Sequence, residues 1–525
     1  MLTLSYEFVR VSFQTPTWVP AERCSFVLGN PPFVGAKFMI EAQREDTQLV
    51  FAGVENAGLL DFVAAWYVKA AHYLRGETPA SAGWPAGAHE PSVFKIAPTG
   101  QPAPASGDVR ANVRCAFVST NSITQGEQVG VLWGWLLAQG VHIHFAHRTF
   151  SWSNEASGKA AVHCVIIGFG LQDLPGKVIF EYDNIRGEPH AVAVNHINPY
   201  LVDAPDVVLP RRSRPICDVP QIVFGSMAND GGYLFLNATE KSALLDECPT
   251  AANWIRPFLG ADEFINNIPR WCLWLRDCPP SQLRSMPAVL ARVLKVKGHR
   301  NASSRAVTQA LAATPTLFGE IRQPADRYLL VPRHSSERRA LIPIGFLSPN
   351  VIIGDANLCV PDATLFHFGI MTSGMHMAWV RYVCGRIKSD YRYTNQIVYN
   401  NFPWPELLKN AEPSSAQTAI ESAAQTVLDV RARFQTGEQP ATLADLYDPL
   451  TMPPELLKAH QRLDAAVDKA YEASGGKKHY KSDAERVAFL FELYQKYTSL
   501  LPTDNKSKPR KFGRKTQATE GASNL

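Results

Sequence analysis

No two cysteines in this sequence stand at CxxC spacing, and no Cys/His pairs recur at the intervals a structural zinc site needs. The nine cysteines are scattered singly, which argues against a disulfide framework and fits a reducing compartment. Long apolar runs are missing too. The longest, "VGVLWGWLLA" at Val129–Ala138, is too short to span a bilayer. The amino-terminal "MLTLSYEFVRVSFQTP" alternates polar and apolar residues and carries no cleavable signal pattern. No membrane partner is expected, and the location is expected to be cytoplasmic. Neither charge sign dominates: 52 Lys and Arg against 48 Asp and Glu leave +4. The molecule as a whole is therefore no basic coat for nucleic acid, and any such contact must come from local clusters.

What remains is ordinary globular material, 46% hydrophobic and 19% charged over 525 residues. That length allows two to four domains at roughly 100–200 residues each. In the first two hundred residues, "CSFVLGN", "CAFVSTN", "VHIHFAHRTF" and "AVHCVIIGFG" read as strands. Between the first two, "LLDFVAAWYVKAAHYL" puts Leu60, Val63, Ala64, Tyr67, Ala71 and Leu74 on one helical face. "EQVGVLWGWLLAQG" is a second helix, with Gly140 as its C-terminal cap. Alternating strand and helix predicts an α/β fold with a parallel sheet. Thr78–Gly107, rich in Pro, Gly and Ala, reads as an inserted flexible loop. A second region, about 215–405, is rich in tryptophan and arginine. A third, about 415–502, is helical, with Leu456, Ala459, Leu463, Val467 and Ala470 at helical spacing and a capping box at Ser482 and Glu485. After Pro502 a basic tail, including Lys506, Lys508, Arg510 and Lys511, reads as disordered.

The stretch with most chemical content is "FVLGNPPFVG". Two consecutive prolines fix their own φ and push their predecessors toward extended backbone, so a buried strand, Ser25–Leu28, should end in a rigid loop presenting Asn30 and Phe33. An exocyclic amine on a nucleobase is a poor nucleophile because its lone pair is delocalised into the ring. Accepting hydrogen bonds from both amine hydrogens favours a more tetrahedral nitrogen. The Asn30 side-chain oxygen and the Pro31 carbonyl suit those two roles, Pro32 stiffens the loop, and Phe33 can stack on the base. The base must leave its duplex first, at about a few kcal/mol.

Asn30-Pro31-Pro32-Phe33 matches the (D/N/S)PP(Y/F/W) motif of amino-methyltransferases. With "HFAHRTFSWSNEASGKAAVH", "RPFLGADEFINNIPRWCLWL", "VPRHSSERRALIPIGF", "CGRIKSDYRYT" and "VYNNFPWP" in order, the chain resembles the MmeI-like, type IIL restriction–modification family from about Ser25 to Leu500. That resemblance implies γ-class methyl transfer from S-adenosylmethionine to adenine-N6 in a specific double-stranded DNA site. It implies a catalytic loop at Asn30–Phe33, base stacking by Phe150 or Trp152, and a place near the cofactor for Asp61, which is equally readable as a helix N-terminal carboxylate. The expected layout is an incomplete Rossmann-like methyltransferase sheet over 1–205, a mixed α+β target-recognition domain over 206–408, a helical domain over 409–502 and the tail 503–525.

The family pattern breaks at the front. Fewer than thirty residues precede Asn30, and none form the Gly-rich cofactor loop of type DPACGSGNF; "GFG" at Gly168–Gly170 is the only local substitute. Losing the donor's site forfeits the roughly 7–11 kcal/mol that proximity can supply. Alone, the chain is expected to be weak or inactive, either truncated or half of a split enzyme. A companion chain would then carry the N-terminal methyltransferase half and the nuclease, favoured by the exposed edge of an incomplete sheet.

For reading DNA, Arg392 and Asp390 are expected near base edges, with Asn395 suited to adenine; Arg386 and Lys388 would face phosphates. Arg333 in "PRHSSERR" and the run "KVKGHR" (Lys295–Arg300) are further backbone contacts. "FGSMANDGG" reads as a turn-rich entry loop. His142, His144 and His147 alternate on a strand without carboxylate or Cys at ligand spacing, so no metal site is expected. Two other readings stand beside this one: a non-catalytic DNA specificity protein, and an NPPF methyltransferase acting on protein glutamine or RNA.

Overall fold

The computed structural model describes residues 25–77, 112–152, 162–406 and 414–499. The Thr78–Gly107 loop, the amino-terminal strand-like run and the basic tail lie outside them. In the first region β1 (Phe26–Gly29), β2 (Arg114–Thr120), β3 (His142–Trp152), β4 (Val162–Gly170), β5 (Lys177–Glu181) and β6 (His190–Val194) form one sheet of order β1-β2-β4-β3-β5-β6. The sheet is mixed, not parallel. Only β1–β2 and β3–β5 pair in parallel, while β4 runs antiparallel to both β2 and β3. The reason is connection length. The nine residues between β3 and β4 are too few for a crossover helix and force an antiparallel return. β4 returns into the slot between β2 and β3, which the helix between them had joined as parallel strands.

β1 is not the buried strand the sequence implied. Phe26 is 63% and Leu28 75% exposed, because β1 is an edge strand and their face of the sheet carries no covering layer among the described residues. Phe38 and Ile40 are exposed beside them in sequence. The opposite face is covered by α2 (Ala64–Leu74) and α3 (Gly126–Ala138); α1 (Glu41–Val50) precedes them. All six residues assigned to the face around α2, from Leu60 to Leu74, are buried. Tyr67 anchors that layer, stacked 5.2 Å from Phe169, edge-on to Phe117, and bonded to Ser119 Oγ at 2.9 Å. α3 ends as expected: Gly140 at φ +80 lets Val141 N–H reach Leu136 O and Gly140 N–H reach Leu137 O.

The second region holds three small sheets. Phe235–Leu236, Ile255–Leu259, Trp271–Leu273 and Ile352–Ile353 form one, and Val223–Phe224, Tyr328–Pro332, Gly345–Leu347 and Asn357–Pro361 another. His334–Ser335, Arg386–Ile387 and Asp390–Arg392 form the third. Helices Ser415–Gln435, Pro454–Glu472 and Asp483–Ser499 follow, with Leu456, Ala459, Leu463, Val467 and Ala470 buried. Ser482 caps Glu485 N–H, but the Glu485 carboxylate turns to Lys481 N–H at 2.7 Å, one residue earlier than a capping box requires. One apolar cluster runs from α2 and β4 through Trp379 and Trp404 to Leu463 and Phe491. A second, around Leu234, Cys272, Val289 and Val296, is separate from it.

Candidate functional site

The proline pair ends β1 because neither ring nitrogen can donate to β2. Asn30 emerges exposed at the carboxyl end of β1, Pro31 is buried beneath it, and Phe33 is half-buried against the core. None of the described residues bonds the Asn30 side-chain amide. The far end of the loop is pinned: Phe62 N–H donates to Val34 O and Ala36 N–H to Asp61 Oδ1, both at 2.9 Å. Asp61 lies before α2 rather than in its first turn, and its second oxygen accepts from Ser122 Oγ at 2.6 Å. Each carboxylate oxygen thus accepts one bond inside the chain, which ties Asp61 to the loop and leaves each oxygen a further lone pair. Gly168 and Gly170 do not serve either. A β-carbon at Gly168 would overlap the Phe145 ring, and one at Gly170 would lie 2.8 Å from His144 Cε1. These glycines make room for rings, not phosphates or ribose.

Phe150 and Trp152 sit at the same carboxyl end of the sheet, across β2 and β4. Three strand spacings separate β1 from β3, about 14 Å. An irregularity between His147 and Phe150 inserts one extra residue into β3 and re-aims its end. Phe150 then stacks on Tyr182 at 5.4 Å, with Trp152 6.2 Å away and 42% exposed. Behind them His147 stacks on Phe180 at 4.2 Å, and its Nδ1 is 2.8 Å from the Tyr182 hydroxyl. Tyr182 had no motif to mark it, and His147 stood out only as one of three strand histidines; the pairing of β3 with β5 brings them here.

Blocks fifty residues apart build the second part of the site. His334 pairs with Arg392 and Ser335 with Tyr391, while Ile387 pairs with Asp390 across a Lys388-Ser389 turn. Lys388 takes that turn at φ +58 and is exposed at the tip. Asp390 is exposed and accepts from Glu337 N–H at 3.3 Å. Arg386 is not a free phosphate contact. Its guanidinium donates to Ser389 O at 2.8 Å, covers the Tyr391 ring at 4.2 Å and lies 3.9 Å from Glu337. Arg333 donates to Asp355 O and covers Phe224; burial, then the Arg392 charge, lowers its proton affinity. The Nε–H groups of Arg333, Arg339, Arg386 and Arg392 are buried without a hydrogen-bond acceptor among the described residues. Asn395 opens a single π-helical turn, Asn395–Tyr399, of the kind that often marks functional sites.

The "KVKGHR" run divides. Lys295 and Lys297 are exposed, but Arg300 is fully buried and donates to five carbonyls, those of Ala228, Asn229, Leu311, Thr314 and Leu317, at 2.7–2.9 Å. It is a structural pillar, and no phosphate can reach it. No helix among the described residues is long and apolar enough to cross a membrane.

Comparison with known proteins agrees with this layout. Residues 6–84 and 105–181 match the DNA-methyltransferase domain of MmeI, 203–406 its target recognition domain, and 412–502 its C-terminal domain. The chain is 36% identical over 473 residues to DNA methyltransferase A of Bacillus subtilis (strain 168), covering 90% of this chain and 48% of that protein. A solved structure of the type IIL restriction–modification enzyme MmeI in complex with DNA superposes with a TM-score of 0.75 at 46% identity. That match covers 92% of this chain and 58% of the solved one. The chain spans about half the length of the curated relative it matches.

Proposed function

This chain belongs to the MmeI family of restriction–modification methyltransferases, and from that premise we propose that it methylates adenine-N6 within a specific site of duplex DNA. The observation that carries the proposal is Asn30: exposed, at the carboxyl end of β1, on a loop stiffened by two prolines and pinned by Asp61. Its side-chain oxygen and the Pro31 carbonyl accept the two amine hydrogens of an extruded adenine. Withdrawing those hydrogens from the ring plane leaves the nitrogen lone pair available, and preorganised acceptors need no rearrangement as charge develops. Phe33 covers one face of the base; Phe150, backed by Tyr182, or Trp152 covers the other. Stacking offsets the roughly few kcal/mol of extrusion. Arg392 and Asp390 read base edges, Asn395 stands beside them, and Lys388 and Arg333 engage the backbone.

S-adenosylmethionine is the methyl donor the family implies. Among the described residues, Gly168 and Gly170 lie under rings, and Asp61, with one bond on each oxygen, keeps acceptor capacity toward it. The remainder of its cradle is assigned to a companion chain carrying the N-terminal methyltransferase half. The exposed Phe26, Leu28, Phe38 and Ile40 offer that segment an apolar seat.

Two measurements test the reading. Methyl incorporation into unmethylated DNA, by the chain together with whatever completes it, should vanish in Asn30→Ala while DNA affinity stays within about twofold. An equal loss of affinity would overturn the catalytic assignment. The incomplete cradle favours one second reading, a specificity protein without catalysis of its own. Calorimetry that finds sequence-specific DNA binding but no S-adenosylmethionine binding by the completed protein would establish it.

A further inference from the structure

The carboxyl end of β2 and the first turn of α3 touch both halves of the proposed chemistry. On one side, Ser122 Oγ donates to Asp61 Oδ2 at 2.6 Å, and Gln128 Oε1 accepts from Asp61 N–H at 3.1 Å. Thr120 Oγ1 lies 2.8 Å from Ser122 Oγ and completes the polar cluster. Through its other oxygen Asp61 holds Ala36 N–H, six residues beyond Asn30. Bonds to an ionised carboxylate are roughly twice as strong as neutral ones, so this tie outweighs an ordinary loop contact.

On the other side, Gly126 adopts φ +63 and runs against Gly385, so closely that a β-carbon on Gly126 would stand 3.0 Å from the Gly385 Cα. Gly385 directly precedes the hairpin that begins at Arg386. One residue further, Glu127 is 3.5 Å from Arg211. The Arg211 guanidinium grips Gln396 Oε1 at 2.6 and 2.9 Å, beside Asn395. Seven residues, 122–128, therefore meet the loop that carries Asn30 and the segment that carries Arg392 and Asn395.

We propose that Asp61, held by Ser122 and Gln128, is a positioning residue that sets the Asn30 loop in register with the DNA-recognition segment. The proposal rests on the DNA-methylating reading and deepens it. When the hairpin seats on a duplex, its position relative to Gly126 is fixed, and Ser122 and Asp61 transmit that position to Ala36. A misplacement of about 1 Å at a reacting centre can cost about a hundredfold in rate, so such a register has catalytic value. Asp61 acts through the loop and touches no substrate.

Hydrogen exchange of the full chain, with and without unmethylated bacteriophage-length duplex DNA, tests this in wild type, Ser122→Ala and Ser122→Thr. In all three, DNA should slow exchange over residues 386–399. Over residues 34–38 it should slow exchange roughly tenfold in wild type and Ser122→Thr, which keeps the donor, and hardly at all in Ser122→Ala. Should Ser122→Ala fold poorly, Gln128→Ala carries the same expectation. Equal loop protection in wild type and both alanine variants overturns the proposal. So does loss of hairpin and loop protection together, which marks a global effect. If DNA protects neither segment in wild type, the DNA-binding reading falls as well.

Discussion

Asn30 and Arg300 do opposite things with polar side chains. Asn30 stands at a strand end without a side-chain partner among the described residues, whereas Arg300 is buried among five carbonyls. Arg300→Met should destabilise the recognition region by about 3–5 kcal/mol, because the carbonyls lose a charged donor at once. A urea midpoint unchanged from wild type would contradict that account. Lys388, at the tip of its turn, should behave differently. Lys388→Ala is expected to weaken DNA binding evenly across sequences and to lower the slope of log affinity against log salt by about 1. Fluorescence anisotropy at several salt concentrations measures it, and an unchanged slope would make Lys388 a solvated charge. The sequence could not separate these residues. Arg300 and Lys297 share one basic run, and the backbone carbonyls that claim Arg300 leave no mark in side-chain identity.

At the scale of elements, the four strands read from the first region and the two helices between them are where alternation and helical spacing put them, because burial dictates that spacing locally. Strand order was not legible. That β4 enters between β2 and β3, and that a fragment as short as His334–Ser335 joins a hairpin fifty residues away, are long-range pairings without a local signature. The exposure of Phe26 and Leu28 was misread for the same reason: an apolar run says what a strand prefers, not which layer covers it. The asparagine–proline loop was legible because proline acts on its own backbone. Gly168 illustrates a packing constraint that emerges only once β3 and β4 pair. Gly168→Ala should cost about 1–3 kcal/mol by driving a methyl into the Phe145 ring. A thermal midpoint within a degree of wild type would show that the ring moves aside freely.

For the whole molecule, acid should be more damaging than the mild net charge implies. Burial lowers His376 and His460 to about 3 and His367 to about 4, so all three are neutral when folded and protonate near 6.5 when unfolded. The unfolded chain therefore binds more protons below about 6.5, and stability falls as pH falls, by up to about 1.4 kcal/mol per unit for each histidine. Asp464 has the opposite sign. Burial raises it to about 6, so between about 6 and 3.8 the folded chain binds the extra proton and cancels about one histidine. Between pH 6 and 4.5 these four groups together should cost nearly two protons' worth, about 3 kcal/mol per unit, and the lowered His144, His147 and His334 act in the same direction, measurable as a falling urea midpoint. A flat midpoint across that range would refute it.

The separation of the apolar clusters has an evolutionary meaning. The larger ties the catalytic sheet to the carboxyl-terminal helices, so neither can drift without disturbing the other. The one around Cys272, Val289 and Val296 is distinct from it, and adjoins a third, small cluster around Tyr328, Leu330, Ile353 and Cys359 through the strand Ile352–Ile353. A lineage could therefore vary the residues around Cys272, Val289 and Val296, and with them the outline of the target-recognition domain, while the larger cluster stayed as it was.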